Sequence, residues 1–285
     1  MTKVLITGCS SGFGLEAALA FARRGDTVIA TMRNLAKAET LQRRAESEGL
    51  TIDLQELDVT DDASIRNACA AIDEQHGAVD VLVNNAGVGY AGPIETIALE
   101  RARALMETNF WGAMNMARAL LPGMRDQRSG AIINVSSLQG LIPGTMYAGM
   151  YSASKHALNA LSEALSGELE PYGVRVVCIE PGFFATEISN NGLVDDQEPH
   201  PAYAADQEWL RKFMEGGVNN GADPAVVADA IVDAAHNPET PLHVPVGDDA
   251  QMYLALLDSV EGFEGWSEAV IPVVESAVGP RPTID

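Results

Sequence analysis

The sequence predicts an α/β fold in which a doubly wound, mostly parallel seven-stranded sheet carries helices on both faces. Seven short β-branched runs alternate with amphipathic helical segments. Several of these runs are apolar almost throughout, as strands covered on both faces are. No Gly- or Ser-rich linker and no internal repeat divides the 285 residues, so we predict a single domain over 1–285.

The first part of the chain alternates strictly between the two kinds of element. Each strand candidate is rich in Val, Ile and Leu, and each helix candidate carries apolar residues at three- and four-residue intervals. Gly25 is a stop signal for the first helix. In order, the elements are KVLIT, LEAALAFARRG, TVIAT, NLAKAETLQRRAESEG, IDLQELDV, ASIRNACAAIDEQHG, VDVLVNN and one long helix over 99–128.

The second part keeps this order with one interruption. GAIINVSS, a helix over 152–171, VRVVCIEP and LHVPVG continue the alternation. Residues 183–221 are predicted to form an acidic loop and a short helix, EWLRKFMEGG. Because open α/β sheets bind ligands beyond the carboxyl ends of their strands, we predict that this insertion is a substrate lid. The C-terminal extension, 248–285, is predicted to form a helix followed by irregular chain.

Composition excludes several classes of function. With 18 basic and 40 acidic residues, the formal charge is −22, which disfavours nucleic acid and anionic membranes as partners. Cys9, Cys69 and Cys178 form no C-x-x-C, and no histidines stand at metal-binding spacing, so we expect neither disulfides nor a metal. No apolar run is long enough to cross a membrane or to form a signal peptide. We therefore expect a cytoplasmic protein.

The first strand candidate runs directly into a glycine-rich turn that opens the first helix. The sequence ITGCSSGFG places Gly8, Gly12 and Gly14 where the backbone can approach a dinucleotide pyrophosphate at a helix N-terminus. The spacing is G-x-x-x-G-x-G rather than G-x-G-x-x-G. Taken alone, the pattern also fits a tight turn without a ligand.

The end of the second strand candidate indicates which dinucleotide is preferred. NAD-binding folds usually supply an Asp or Glu there for the ribose 2′-hydroxyl, whereas this chain has Met32 and then Arg33. An arginine can bind the 2′-phosphate through charge-assisted hydrogen bonds, which favours NADP(H) over NAD(H). The alternative is that Arg33 only covers a surface strand end.

Two tyrosines precede a lysine in MYAGMYSASKHAL. Tyr151 and Lys155 are four residues apart, so on a helix they share one face. Tyr147 lies eight residues from Lys155, about 12 Å along an ideal helix, and Pro143 with Gly149 makes such a helix improbable. We therefore pair Lys155 with Tyr151 and assign Tyr147 to a pocket wall.

Further short motifs follow in order along the predicted elements: TGCSSGFG at 7–14, Asp58 in LDVT, NNAG at 84–87, Asn109 in NFWG, Ser137 at the end of NVSS, YSASK at 151–155 and PGFFAT at 181–186. With these motifs, residues 3–190 resemble the short-chain dehydrogenase/reductase family. The cofactor-loop sequences TGCSSGFG and ATMRN most resemble those of its 17β-hydroxysteroid and retinol dehydrogenase-like members. The resemblance implies a Rossmann-type fold and an NAD(P)-dependent oxidoreductase acting on CH–OH groups.

The resemblance also implies roles for the matched residues. Tyr151 would be the general acid/base, with a pKa lowered by Lys155, which would also hold the nicotinamide ribose. Ser137 would orient the substrate oxygen. Asn109 would hold a water that links Lys155 to solvent, or would only brace a helix. The implied cofactor-binding set is Gly8, Ser10, Ser11, Gly12, Phe13, Gly14, Arg33, Asp58, Val59, Asn85, Ala86, Gly87, Tyr151, Lys155, Pro181, Gly182 and Thr186.

One interval departs from the family pattern. The serine is expected thirteen residues before the tyrosine, but that position is Leu138, and Ser137 lies fourteen before. The simplest explanation is a one-residue insertion in the loop LIPGTMYAGM, which Pro143, Gly144 and Gly149 mark as non-helical. Ser136 is the alternative, although only one of two successive strand residues can face the cofactor.

The expected substrate is a bulky hydrophobic ketone or aldehyde, or the corresponding alcohol. The predicted pocket residues are mostly apolar or aromatic, which suits such a substrate better than a sugar; alternatively, several form the core of the lid itself. They are Ser137, Tyr147, Tyr151, Phe183, Phe184, Trp209 and Phe213, with Met146 and Met214 beside them.

Two other functions remain open at this point, a catalytically silent NADP-binding redox sensor and an isomerase or epimerase of a related family. An isomerase or epimerase of this kind is expected to have Gly at position 11 of the glycine-rich turn, where this chain has Ser11. Family resemblance also implies a homodimer or homotetramer, paired through the helices over 99–128 and 152–171.

Overall fold

The computed structural model describes residues 1–186 and 200–283 of the chain. Seven strands form in this part, numbered in chain order β1 to β7: Lys3–Ile6, Thr27–Met32, Asp53–Glu56, Val81–Asn84, Gly130–Val135, Val174–Pro181 and His243–Val246. All pair in parallel, in the order β3-β2-β1-β4-β5-β6-β7. The predicted doubly wound α/β fold is confirmed.

Helices cover both faces of this sheet. Those in the described ranges are α1 to α10: Gly12–Arg24, Glu39–Ser47, Asp62–His76, Leu99–Met106, Ala113–Gln127, Gly149–Leu169, Ala204–Asn219, Pro224–His236, Asp248–Asp258 and Gly262–Val278. The predicted stop of α1 is confirmed. Gly25 adopts φ 88° and its N–H donates to the carbonyl of Ala22 at 3.0 Å, a left-handed helix end that glycine adopts without strain.

The single long helix predicted over 99–128 contains an irregularity. A π-helical turn, Glu107–Gly112, separates α4 from α5. A π turn inserts an extra residue into the helical period, which shifts the side chains after it around the axis. Here Asn109 is buried and bonds both main-chain polar groups of Val88. The spacing of apolar residues in the sequence does not indicate this local widening of the helix.

Two predicted boundaries are corrected. Gly149, expected to mark a loop, is the first residue of α6, because a first-turn residue donates no intrahelical hydrogen bond and glycine is tolerated there. The predicted irregular chain after the helix of the C-terminal extension is wrong, since α10 follows α9. Pro272 lies inside α10, and burial of Trp266 and Val274 offsets its cost.

The predicted lid falls partly outside the described residues, since 187–199 are not among them. The rest of the predicted segment includes α7, which is longer than the short helix expected. Buried apolar clusters lie on both faces of the sheet, one built around α1 and α8 and the other around α3 and α5. Among the described helices, none has the length and apolar character needed to span a bilayer.

Candidate active site

A cavity of about 1390 Å³ opens at the carboxyl edge of the sheet. It runs past the ends of β1 and β4, where the strand order reverses, which is the ligand-binding position of open α/β sheets. The glycine turn, the segments after β4, β5 and β6, the start of α6, and the helices α7 and α10 line it. All predicted site residues line this cavity except Gly14 and Asn109, which lie behind its wall.

The glycine turn packs so closely against its neighbours that two of its glycines cannot be replaced without displacement. A Cβ on Gly8, whose φ is 76°, would lie 2.9 Å from the Cα of Ala86. A Cβ on Gly14 would lie 2.5 Å from the carbonyl oxygen of Gly8. Gly12, with φ 57°, faces the cavity at the start of α1, and its nearest neighbour is Thr186. The N-terminus of α1 is therefore open to a ligand.

Hydrogen bonds tie the glycine turn to the segment after β4. The hydroxyl of Thr7 accepts from the N–H groups of Asn85 and Ala86, both at 3.0 Å. In return, the Asn85 amide donates to the carbonyls of Thr7 at 2.8 Å and Gly8 at 3.1 Å. These contacts hold the two sides of the strand-order reversal together.

The far end of the cavity carries three of the predicted cofactor-binding residues, Arg33, Asp58 and Val59. Arg33 is exposed at the cavity edge after β2. One carboxylate oxygen of Asp58 accepts from the N–H of Thr60 at 2.9 Å and from its hydroxyl at 2.8 Å. The side chain of Val59 packs against the π turn at Gly112. Lys37 also lines this end. The sequence analysis did not include Lys37, although it lies only four residues after Arg33 and carries the same charge.

The side chain of Ser137 lies beside the phenol of Tyr151 and interacts with it. Ser137 is the second residue after the end of β5, next to Ser136. Its hydroxyl also accepts from the N–H of Gln139 at 3.2 Å. The neighbouring Ser136 points elsewhere, with its hydroxyl 3.5 Å from the carbonyl oxygen of Lys155. Of the two serines, Ser137 is thus the one that the fold places at the phenol, fourteen residues before Tyr151.

The pKa of Tyr151 is raised, which corrects the sequence expectation of a lowered value. Burial is the main cause, because it disfavours the charged phenolate, and the interaction with Ser137 acts in the opposite direction. The expected lowering by Lys155 required a charge close to the phenol oxygen. Instead the ammonium lies 5.6 Å from the centre of the tyrosine ring.

Lys155 is 5 % exposed and lies at the inner wall of the cavity. Its ammonium donates to the carbonyl of Val135 at 3.0 Å. Burial lowers the pKa of Lys155 to about 8, because the charged form loses its hydration. A weakly held proton on this side chain can therefore be exchanged near neutral pH.

Asn109 braces the wall behind Lys155. Its carbonyl oxygen accepts from the N–H of Val88 at 2.8 Å, and its amide donates to the Val88 carbonyl at 2.9 Å and to the Ser154 hydroxyl at 3.1 Å. Both amide hydrogens are therefore used, which matches the bracing alternative for this residue. Gly87 lies beside it: a Cβ there would be 3.4 Å from the Asn109 oxygen and 3.9 Å from the Lys155 ammonium.

The turn after β6 is held by a residue that sequence analysis missed. Asp249, at the start of α9, accepts from the N–H of Phe183 at 2.6 Å. A Cβ on Gly182 would lie 2.3 Å from this carboxylate, so glycine is required for the contact. Gly182 also donates to the Val246 carbonyl at 3.0 Å. Of the predicted cofactor-binding residues, Pro181 ends β6, Gly182 lies in this turn, and Thr186 follows it.

The predicted pocket aromatics divide into two groups. Phe183 packs edge-to-face with Phe213, with ring centres 5.7 Å apart, and both line the cavity. Phe184 and Trp209 are almost fully buried, and Phe184 packs on Phe13 in the main core. Trp209 belongs to a cluster between α7 and α10, so these two residues fit the alternative of a structural core at the cavity edge.

Helix α10 supplies a cavity wall that sequence analysis did not foresee. Trp266, Val270 and Val274 line the cavity at intervals of four residues, which is one face of the helix. This spacing was the available signal, but Pro272 and the flanking glycines obscured it. The C-terminal extension is therefore part of the site.

Behind β6, Cys178, Glu180 and His243 come together, with one donor atom of each within 4.8 Å of the others. The sequence spacing of these residues gave no sign of this group. The fully buried carboxylate of Glu180 lies 2.6 Å from His243 Nδ1 and accepts from Asn159 at 3.0 Å. These contacts tie β7 to β6.

Comparison with known proteins gives consistent results. The family model for short chain dehydrogenases matches residues 2–197. Retinol dehydrogenase 8 from Homo sapiens is 36 % identical over 84 % of this chain and 79 % of its own length. A 3-ketodihydrosphingosine reductase from Bacteroides thetaiotaomicron is 36 % identical over 88 % and 90 %. The crystal structure of a short-chain dehydrogenase from Streptomyces avermitilis superposes with a TM-score of 0.79 at 36 % identity, covering 97 % of each chain. With this fold and these matches, the chain belongs to the short-chain dehydrogenase/reductase family of oxidoreductases, whose members bind a nicotinamide cofactor.

Proposed function

We propose that the protein interconverts a bulky hydrophobic ketone or aldehyde and the corresponding alcohol, with NADP(H) as cofactor and Tyr151 as general acid/base. The observation that carries the proposal is the placement of Ser137 beside the phenol of Tyr151, with buried Lys155 one helical turn further on. This group lies where the cofactor-binding and apolar parts of one cavity meet.

The cavity fits a nicotinamide dinucleotide. Gly12 leaves space at the N-terminus of α1 for a pyrophosphate, and Gly87 lies beside Lys155 at the inner wall. Arg33 and Lys37 would hold a 2′-phosphate at the other end. When bound, the reduced cofactor supplies the hydride that the carbonyl carbon accepts.

The chain's own residues then account for the proton. During reduction the Tyr151 hydroxyl donates its proton to the carbonyl oxygen, and during oxidation the phenolate accepts it back. The raised pKa of Tyr151 keeps the phenol protonated and ready to act as an acid. Ser137 donates a hydrogen bond to the same carbonyl oxygen and stabilises its developing negative charge. Lys155 returns a proton towards Tyr151 from its position one helical turn away.

An apolar substrate is supported by the part of the cavity beyond Tyr151. Its walls include Phe183, Phe213, Trp266 and Val270. Two polar side chains in this region already bond other protein groups: Gln139 donates to Thr145 at 2.9 Å and accepts from Ser152 at 2.7 Å. These two side chains are therefore not free to bind the hydroxyls of a sugar. Two relatives are named for a retinoid and for a long-chain ketone, which agrees with this view.

The direct test is incubation of the purified protein with NADPH and a panel of steroid, retinoid and long-chain carbonyl compounds, followed by absorbance at the cofactor band. We expect turnover of at least one bulky apolar carbonyl compound and little or none of sugars of similar size. Tight NADPH binding without turnover of any carbonyl compound or alcohol would favour a silent sensor instead.

Replacing Ser137 by alanine should reduce kcat by an order of magnitude or more, because one hydrogen bond to the substrate oxygen is lost. Ser136→Ala is the matched control, since that hydroxyl contacts only the main chain of Lys155. Steady-state kinetics with the best substrate of the panel measures both variants. A loss with Ser136→Ala but not with Ser137→Ala would overturn the assignment.

Replacing Arg33 by alanine should raise the KM for NADPH about tenfold or more and leave the KM for NADH unchanged. The reason is that hydrogen bonds to a charged group contribute about 1.5 to 3 kcal/mol, and only NADPH has the 2′-phosphate. Lys37→Ala should have a smaller effect of the same kind. Arg24→Ala, at the opposite end of α1, is the control. An unchanged ratio of the two KM values would remove Arg33 from the proposal.

A further inference from the structure

The chain that follows α10 crosses onto the lid helix α7. Gly279 ends α10 with φ 89°, and its N–H donates to the carbonyl of Glu275 at 2.9 Å. The Gly279 carbonyl accepts from the indole N–H of Trp209 on α7 at 2.8 Å. Two residues later, the N–H of Arg281 donates to the Glu275 carboxylate at 3.0 Å. The C-terminal segment is therefore fixed on both helices.

Arg281 forms a two-pronged ion pair with Asp206 in the first turn of α7. Nε lies 3.2 Å from Oδ1 and Nη2 lies 2.5 Å from Oδ2. The Asp206 side chain is only 2 % exposed, and the hydrogen bonds from Arg281 lower its pKa. A buried carboxylate left without this arginine would be strongly unfavourable, so α7 depends on Arg281 for its place.

The same carboxylate contacts the loop in front of α6. The Tyr147 hydroxyl donates to Asp206 Oδ2 at 3.3 Å, and the Tyr147 carbonyl accepts from the N–H of Gly92 at 2.6 Å. Tyr147 has φ 60°, a left-handed conformation that is unfavourable for a residue with a Cβ. The surrounding contacts must offset this cost. Asp206 thus joins three segments that are distant in sequence.

These segments enclose the apolar part of the cavity. Phe213 and Met214 line it from α7, Trp266 and Val270 line it from α10, and Tyr147 lines it from the loop. The ring of Tyr147 also packs on the cluster formed by α7 and α10. The distance between these walls therefore depends on the contacts of Asp206 with Arg281 and Tyr147.

We propose that Arg281 is a positioning residue that determines specificity for bulky substrates: through Asp206 it holds α7 and Tyr147 where they complete the apolar wall. The substrate that it selects is a large apolar carbonyl compound, since a small one would not reach α7. This inference rests on the proposed function, but its structural part does not need turnover.

The kinetic test compares Arg281→Ala with wild type on a steroid ketone and on cyclohexanone. We expect kcat/KM for the steroid ketone to fall about tenfold or more, mostly through KM, and kcat/KM for cyclohexanone to change less than about threefold. Arg281→Lys should recover part of the loss, because it keeps the charge without the two-pronged geometry.

Arg23→Ala is the matched control, as it removes a two-pronged pair with Glu48 far from the cavity. Equal losses on both ketones would overturn the proposal.

A second measurement separates this inference from the proposed function. In Arg281→Ala, the amides of α7 should exchange hydrogen for deuterium faster, while those of α6 keep the wild-type rate. Unchanged exchange in α7 would overturn the proposal whether or not the wild type is active. If α7 exchanges faster in Arg281→Ala but the wild type turns over neither ketone, the result would support the contact and count against the proposed function alone.

Discussion

Replacing Tyr151 by phenylalanine should reduce kcat for carbonyl reduction by about 10²- to 10⁴-fold, the usual contribution of a positioned general acid. The substitution removes only the phenol oxygen, so the ring still fills its place in the cavity wall. Ser137 keeps its hydrogen bond from Gln139 and the loop should not move. Binding of NADPH, followed by cofactor fluorescence, should change less than about threefold.

Tyr172→Phe is the control for this experiment. It removes a hydroxyl from the turn beyond the other end of α6, where Tyr172 is exposed. We expect wild-type kinetics from this variant. If Tyr151→Phe kept more than about a tenth of the wild-type kcat, another group would have to supply the proton, and the central assignment would be wrong.

Replacing Lys155 by methionine should abolish most activity and yet stabilise the protein without cofactor at pH 7. Burial holds the pKa of Lys155 at about 8, below its usual 10.5. At pH 7 the lysine is charged in both the folded and the unfolded chain, so the folded state carries the whole cost of burial, about 3 kcal/mol at 1.36 kcal/mol per pKa unit. Loss of the bond to Val135 removes about 1 kcal/mol of this gain, leaving about 2 kcal/mol.

The sign of the pH dependence follows from proton binding. Between pH 8 and 10.5 the unfolded chain keeps the Lys155 proton while the folded chain releases it, so the wild type becomes more stable as pH rises. The advantage of Lys155→Met should therefore shrink over this range. Urea unfolding at pH 7 and pH 9.5 measures it, with Lys212→Met, an exposed lysine, as control. A variant less stable than wild type at both pH values would contradict the expectation.

Much of the fold could be predicted because its signals are local. The seven strands, the stop at Gly25 and the glycine turn each depend on residues close together in sequence. The position of Ser137 could also be inferred, since alternation along a strand distinguishes it from Ser136.

What could not be predicted depends on distant contacts. The direction of the Tyr151 pKa shift depends on how deeply the assembled fold buries the phenol. The pair of Asp206 and Arg281 joins residues 75 positions apart, and neither has a sequence neighbour that indicates the other. Helix α10 forms despite Pro272 because its apolar face packs against α7. The periodicity of apolar residues alone does not predict this contact.

The left-handed residue Tyr147 also bears on how such enzymes can be found. It lies in the loop that joins Ser137 to Tyr151 over an interval of fourteen residues, and the two side chains still interact. A search pattern that demands an interval of thirteen would align Leu138 with the serine position and reject this protein. A search template written as distances between side-chain oxygens would accept it. Loop length can therefore vary between relatives without changing the distances on which the proposed chemistry depends.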